Sequence, residues 1–327
     1  ICGNTVLLKP ASTAVYSAYV VYKLYEAAGL PAGVINFLPG DASKISDVIL
    51  GHESMSGVHF TGSTKVFQNI WKTVGSQLDN YRTFPRLVGE TGGKNFVFVH
   101  SSADPKAVAH GLAEGAFEYQ GQKCSAASRT YVPISLWPEI RVALMAEIEK
   151  IKIGNVETYD TFMGAVIDEK SFKNIKGYIQ AATDAEDAKI ISGGSCKAEK
   201  GYFVEPTVIL TENPHFVTME EEIFGPVLTV YLYEDEAFEE ALTLCDKTSK
   251  YGLTGSIFAR DPYAIHLANE ALTHSAGNFY INVRPTGAVV GQQPFGGARL
   301  SGTNDKAGSM LNLLRWMSPR SIKENLA

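Results

Sequence analysis

Apolar positions over the first hundred residues alternate between two periods. Short extended runs at 5–9, 34–38, 57–60, 86–88 and 96–99 predict strands, the first ended by Pro10. Between them Val15, Tyr19, Tyr22 and Ala27 recur at helical spacing, predicting a helix over 15–28 that stops at Gly29 before Pro31. Asp41 is positioned to cap a second helix running to Leu50. Ser63 caps a third, whose apolar face is Val66, Phe67, Ile70, Trp71 and Val74. The alternation resumes with a strand at 129–133, helices at 136–150 and 171–187, and strands at 189–192, 227–233 and 256–259. Helices at 235–246 and 262–272 and a strand at 278–283 complete it. Such alternation predicts an α/β fold with a parallel sheet covered on both faces. Glycines meeting a new strand at 91–95 place a hinge there, separating 1–93 from 94–301, with 302–327 as a polar, glycine-bearing tail.

Composition narrows the classes. With 327 residues, 45% of them hydrophobic, the chain can bury a core of two domains. A net charge of −6, with Lys and Arg scattered singly, argues against nucleic acid or an anionic membrane as partner. No apolar run approaches the ~20 residues of a membrane helix. The four cysteines, Cys2, Cys124, Cys196 and Cys245, form no CxxC pair, which points to a reducing compartment. The seven histidines show no ligand-type spacing, so no metal site is predicted. The chain begins at Ile1 and runs directly into what reads as a strand in progress, so it is expected to be a piece of a longer protein.

Candidate chemistry gathers in a few glycine-containing segments. Gly121-Gln122-Lys123-Cys124-Ser125 offers a thiol nucleophile, and Glu90-Thr91-Gly92-Gly93-Lys94 a general base able to activate water against a thioester. Alone, Cys124 reads more readily as a small buried hydrophobe, and its surroundings reverse that preference. Phe60-Thr61-Gly62-Ser63 joins a strand to a helix N-terminus, a place suited to a diphosphate or simply an N-cap. Neither GxGxxG nor a Walker loop is present; Gly92-Gly93-Lys94-Asn95 lacks the residues of the latter. Lys9, Glu221-Glu222-Ile223-Phe224-Gly225-Pro226 and Gln293-Pro294-Phe295-Gly296-Gly297 are each ambiguous in isolation.

In that order, with Gly3-Asn4 and Lys9-Pro10 at the start, these motifs resemble the aldehyde dehydrogenase superfamily over essentially the whole chain. The resemblance implies that family's fold: a Rossmann-like NAD-binding domain, incomplete here, and an α/β catalytic domain carrying the thiol. Gly121 to Ala126 and the block from Pro285 to Arg299 are most similar to the Δ1-pyrroline-5-carboxylate dehydrogenases, and Ser301 to Lys306 to their monofunctional mitochondrial type.

The same resemblance implies a role for each of these residues. Cys124 would attack the aldehyde of glutamate γ-semialdehyde, NAD would take the hydride, and Glu90 would direct water at the thioester to release glutamate in proline breakdown. By the same likeness Lys9 and Glu222 hold the two riboses, Gly62 and Ser63 the diphosphate, and Phe224 the nicotinamide side. Lys123, Ser125, Gly287 and Ala288 receive the substrate carboxylate end, and Phe295 walls the aldehyde pocket. An activated thiol is expected to have a lowered pKa. The family likeness also implies a mitochondrial matrix location and a homo-oligomer. Two departures stand out. The family's upstream oxyanion asparagine is absent from these residues, so the isolated chain is expected to show little activity. Ser12 stands where many NAD-specific members carry glutamate, which leaves the exclusion of NADP open. The alternatives are an aldehyde dehydrogenase for another aldehyde and a catalytically silent homologue.

Overall fold

A computed structural model describes residues 1–289 and 291–326; Val290, within the late block, and Ala327, ending the tail, lie outside them. The first ninety residues show the predicted alternation: β1 (Val6–Leu8), α1 (Val15–Ala27), β2 (Ile35–Phe37), α2 (Ala42–Leu50), β3 (Gly57–Thr61), α3 (Thr64–Gly75) and β4 (Arg86–Glu90). Asp41 and Ser63 do cap α2 and α3, accepting from the amides of Lys44 and Val66. The four strands form two separate parallel pairs, β1 with β2 and β3 with β4. Leu50, Met55, Phe67, Ile70, Val74 and Leu87 form a small core against β4, whereas α1 buries none of its residues.

The rest of the chain builds around one seven-stranded sheet. In chain order come β5 (Asn95–Val99), α4 (Pro105–Phe117), β6 (Ala127–Pro133), α5 (Trp137–Glu149), α6 (Glu169–Asp184) and β7 (Ala188–Ser192). A short hairpin of β8 (Cys196–Lys197) and β9 (Phe203–Val204) leads to β10 (Thr207–Thr211), α7 (Val217–Glu220), β11 (Val227–Tyr233) and α8 (Phe238–Thr248). Then come β12 (Tyr251–Gly252), β13 (Thr254–Phe258), α9 (Pro262–Ala271), β14 (Asn278–Ile281), β15 (Ala298–Arg299) and α10 (Met310–Leu314). The sheet order is β14-β13-β5-β6-β11-β10-β7.

All pairings in that sheet are parallel except the last, β7 against β10, which corrects the expectation of a purely parallel sheet. A parallel return needs a crossover, usually a helix. The chain between β7 and β10 carries only the β8–β9 hairpin, so it turns back on itself. Helices cover both faces, as predicted. Along β5, Phe96 and Phe98 point to a core shared with α6, α8 and α9; Val97 and Val99 point to the opposite core with α4 and α5. A strand buried on both sides reads as a continuous apolar run, and this one is.

The tail folds back. Glu90 bridges Gly302, Thr303 N donates to Gly89 O at 2.9 Å, and Asn4 donates to Trp316 O at 2.9 Å. The seven-stranded sheet itself has no room for added bulk at one close approach. Gly255 on β13 pairs with Phe96, whose ring would overlap any Cβ placed there. Gly255→Val is expected to destabilise the chain by ~1–3 kcal/mol through overpacking. Urea unfolding checks this: the midpoint falls with an unchanged slope, and an unmoved midpoint contradicts the packing described.

Candidate active site

The β3–β4 pairing sets one side of the site. Thr61 lies opposite Glu90 in register, and Gly62 N donates to Glu90 O at 3.1 Å, so the strand-to-helix corner and the carboxylate are neighbours by backbone geometry. Ser63, exposed at that corner, caps only the Val66 amide, at 3.4 Å. The other first-turn N–H groups of a helix have no intrahelical acceptor. Glu90 Oε1 is buried without a hydrogen-bond partner among the described residues. Burial raises the Glu90 carboxyl to about 7, opposed by the nearby Lys306 ammonium.

The thiol reaches this place by a strained turn. Tyr119, Gln120 and Gly121 have φ of 55°, 58° and 64°, three successive left-handed residues just ahead of Cys124. Asn95 then pins the loop: its amide donates to Cys124 O and Ala126 O, both at 2.8 Å, and its carbonyl accepts from Thr254 N at 3.1 Å. Gly93 is required beneath, since a Cβ there would overlap Cys124 O.

The electrostatics correct the expectation of a lowered thiol pKa. Burial, then the charges of Glu90 and Glu222, push Cys124 up to about 11; the amides of Cys124 and Ser125 act the other way. Lys123 does not offset this, because its ammonium turns to Glu118 Oε2 at 2.7 Å. The influence of both Glu90 and Glu222 on Cys124 marks the three as one electrostatic cluster.

Glu222 joins from the segment between α7 and β11. Its Oε1 accepts from Gly93 N at 2.8 Å, and a Cβ on Gly92 would overlap its carboxylate. Burial raises its pKa, against the pull of that N–H and of Lys94. Phe224, two residues on, has φ 57° and an exposed ring. Lys9 lies just past β1, half-buried, and makes no hydrogen bond or ion pair among the described residues, so direct contact does not tie it to this cluster.

The substrate-side residues converge separately. Ser125 Oγ and Thr286 Oγ1 share a buried hydrogen bond of 2.7 Å, which fastens the residue after the thiol to the loop carrying Gly287 and Ala288. Gly287, at φ 90°, needs its glycine conformation. Phe295 is half-buried and bridges Ala307, while Asn278 holds the backbone on either side through Pro294 O and Gly296 N. Sequence reasoning missed Asn95, Thr286, Glu118 and Lys306. Asn95 carried a signal, a carboxamide at the head of an apolar run where strands disfavour it.

A buried carboxylate raised to about 7, a buried thiol that feels its charge and the open N-terminus of α3 make an arrangement chemically able to form a thiol adduct and to activate water against it. The chain belongs to the aldehyde dehydrogenase family, whose profile matches residues 1–322. It is 57% identical to the mitochondrial delta-1-pyrroline-5-carboxylate dehydrogenase of Dictyostelium discoideum, over 99% of this chain and 58% of that protein. The Bos taurus protein of the same name is 52% identical, over 98% of this chain and 57% of its own. The Delta-pyrroline-5-carboxylate dehydrogenase of Mycobacterium tuberculosis, solved bound with NAD, superposes with a TM-score of 0.93 at 47% identity, covering 99% of this chain and 59% of that one. The chain therefore spans a little under three-fifths of these relatives' length.

Glu90 offers a test independent of turnover. An acid whose folded pKa lies above its usual 4.5 adds stability below 4.5 and loses it as pH rises through about 7. Glu90→Gln is thus expected to raise Tm relative to the parent more at pH 8 than at pH 4.5. Equal differences at both pH values would contradict a buried, raised carboxyl.

Proposed function

We propose that the protein carrying this chain oxidises L-glutamate γ-semialdehyde to L-glutamate with NAD, in proline catabolism, by way of a Cys124 thioester. The observation that carries this reading is the cluster of Cys124, Glu90 and Glu222 at the edge of an aldehyde dehydrogenase fold. Relatives solved with NAD and named for the same reaction support it.

The chain's own residues fit the dinucleotide. Gly62 and Ser63 stand at the open N-terminus of α3, and Gly92 leaves room for the Glu222 carboxylate. Ser63 would meet the diphosphate, Lys9 and Glu222 the riboses, and Phe224 the nicotinamide side; NAD, when bound, supplies the hydride acceptor. The sulfur of Cys124 adds to the aldehyde carbon as its S–H proton passes to water, and the amides of Cys124 and Ser125, which already face the sulfur, receive the developing oxyanion. With the acyl group on sulfur, Glu90 takes a proton from water, which attacks the thioester and frees the thiol. Ser125, Gly287, Ala288 and the neighbouring Lys123 hold the substrate's carboxylate end, and Phe295 closes the pocket.

The separate small core of the first ninety residues supports a division into an NAD-binding part over 1–93 and a catalytic part over 94–301. Exposed Met310, Leu311, Leu314 and Ile322 in the tail suit contact with a second copy. Relatives named mitochondrial support the matrix as the location.

Rapid-mix kinetics of the full-length enzyme test the assignment. Cys124→Ala is expected to abolish NADH formation from the semialdehyde. Glu90→Gln should keep a first-turnover burst while steady-state turnover falls by ~10²–10⁴-fold, the usual worth of a general base. NADH formation that survives loss of the thiol removes Cys124 from the mechanism.

A further inference from the structure

Arg284 lies two residues before Thr286, on the segment leading from β14 into the loop of Gly287 and Ala288. Its guanidinium donates through Nη1 to Glu114 Oε2 on α4, and its Nη2 stands 3.9 Å from Glu118 Oε2. That same Glu118 oxygen accepts from Lys123, the residue before the nucleophile. Glu114, Arg284, Glu118 and Lys123 therefore alternate in sign from α4 to the thiol segment. Gly115 lets the segment press this close, since a Cβ there would stand 3.3 Å from Arg284 Cβ and 3.2 Å from Ala127 Cβ.

These pairings leave one donor unused. Arg284 Nε is buried and has no hydrogen-bond partner among the described residues. It faces the late loop: a Cβ built on Gly287 would lie 3.8 Å from Nε and 3.7 Å from Nη2. A buried N–H without an acceptor is costly, and a positive charge beside bare amides favours an anion there. The balance of charge matters as well. With Arg284 present, two cations balance two carboxylates; without it, Lys123 still pairs with Glu118 but Glu114 loses its guanidinium, and the neighbourhood turns against an anion.

We infer that Arg284 is the specificity-determining residue of this loop: its guanidinium, oriented by Glu114 and Glu118, supplies the positive charge that makes the enzyme prefer an aldehyde bearing a carboxylate over an uncharged one. The inference rests on the proposed role of Ser125, Gly287 and Ala288 in holding that carboxylate. Arg284 acts by placing charge behind the amides and takes no part in the bond changes at sulfur.

The test compares glutamate γ-semialdehyde with pentanal in the full-length enzyme. Arg284→Met is expected to lower kcat/KM for the semialdehyde ~10- to 100-fold, the range for hydrogen bonds to charged groups, chiefly through KM. Pentanal should change less than about threefold, and Arg284→Lys should recover part of the loss. A merely structural role predicts equal losses on both aldehydes, and that result, or no loss on either, overturns the inference. If Arg284→Met does not fold, Arg284→Lys and the parent's salt dependence decide. KM for the semialdehyde must then rise with salt while that for pentanal stays, and parallel behaviour overturns the inference. Ser125→Ala separates the two levels. An unchanged semialdehyde KM there sinks the carboxylate-loop reading and this inference with it; a raised KM beside a silent Arg284→Met sinks only the inference.

Discussion

Three hydrogen bonds of one buried carboxamide hold this site together. Asn95, only 2% exposed, ties Cys124 O and Ala126 O to the head of β5 and receives Thr254 N from β13. Glu90 ends β4 a few residues earlier on the same continuous segment, so this clamp sets how far the thiol loop stands from the carboxylate. No apolar residue of similar size can replace it, because two carbonyls and one amide would lose their partners inside the protein. Glycines 92 and 93 belong to the same constraint, one yielding space to Glu222 and the other to the Cys124 backbone.

Burial gives the cluster its electrostatic character. Glu90 rises to about 7 and Cys124 to about 11, each chiefly because water is excluded. Carrying the thiol proton to Glu90 in the resting site is therefore uphill, because the thiol holds its proton to a higher pH than the carboxyl does. The transfer still conserves the net charge of the cluster, whereas losing that proton to solvent with Glu90 already ionised places two anions together. In the proposed reaction, sulfur adds to a carbonyl whose oxygen takes over the negative charge beside the Cys124 and Ser125 amides, so the free thiolate need not accumulate. The raised thiol is thus compatible with nucleophilic chemistry while leaving the resting cysteine protected from oxidants.

Much of this arrangement was legible in the sequence, and the omissions have physical causes. Asp41, Ser63 and the apolar face of α3 announce themselves because a cap and a half-buried helix leave periodic contrast. Helix α4 went unread: Val108, Ala109, Leu112, Ala113, Ala116 and Phe117 are buried, two glycines interrupt, and the polar stripe of Lys106, His110 and Glu114 is only one residue wide. Its cap, Asp104 before Pro105, was the available signal. Strand β10, five residues bracketed by threonines, is too short to stand out. At the site, motif order pointed to Cys124 and Glu90, but the Ser125–Thr286 bond and the Arg284 chain of ion pairs join residues more than 150 positions apart. Such contacts arise from the sheet order and leave no local pattern.

The distribution of backbone strain argues that these loops are held rather than merely adjacent. Among the described residues, the non-glycine positions with left-handed φ are Tyr119, Gln120, Phe224, Asn282, Arg299, Asn304 and Lys306. None lies in the first hundred residues, and all fall in segments that lead to the thiol, come after Glu222, precede the Gly287 loop or cross Glu90. A left-handed L-residue costs roughly 1–2 kcal/mol, and a bulky one such as Phe224 is a clear outlier. Strain of that size persists only where the surroundings over-determine it. Lys306 shows how: with its backbone turned to φ 51°, its ammonium reaches Gly277 O at 2.7 Å and Gly296 O at 3.0 Å. That brings a cation to the flank of Glu90 and fastens the Phe295 loop in the same stroke. The two cores of the seven-stranded sheet supply the stability against which these turns are bent, so packing and hydrogen bonds strong enough to bear the strain keep the thiol, the carboxylates and the late loop in one place.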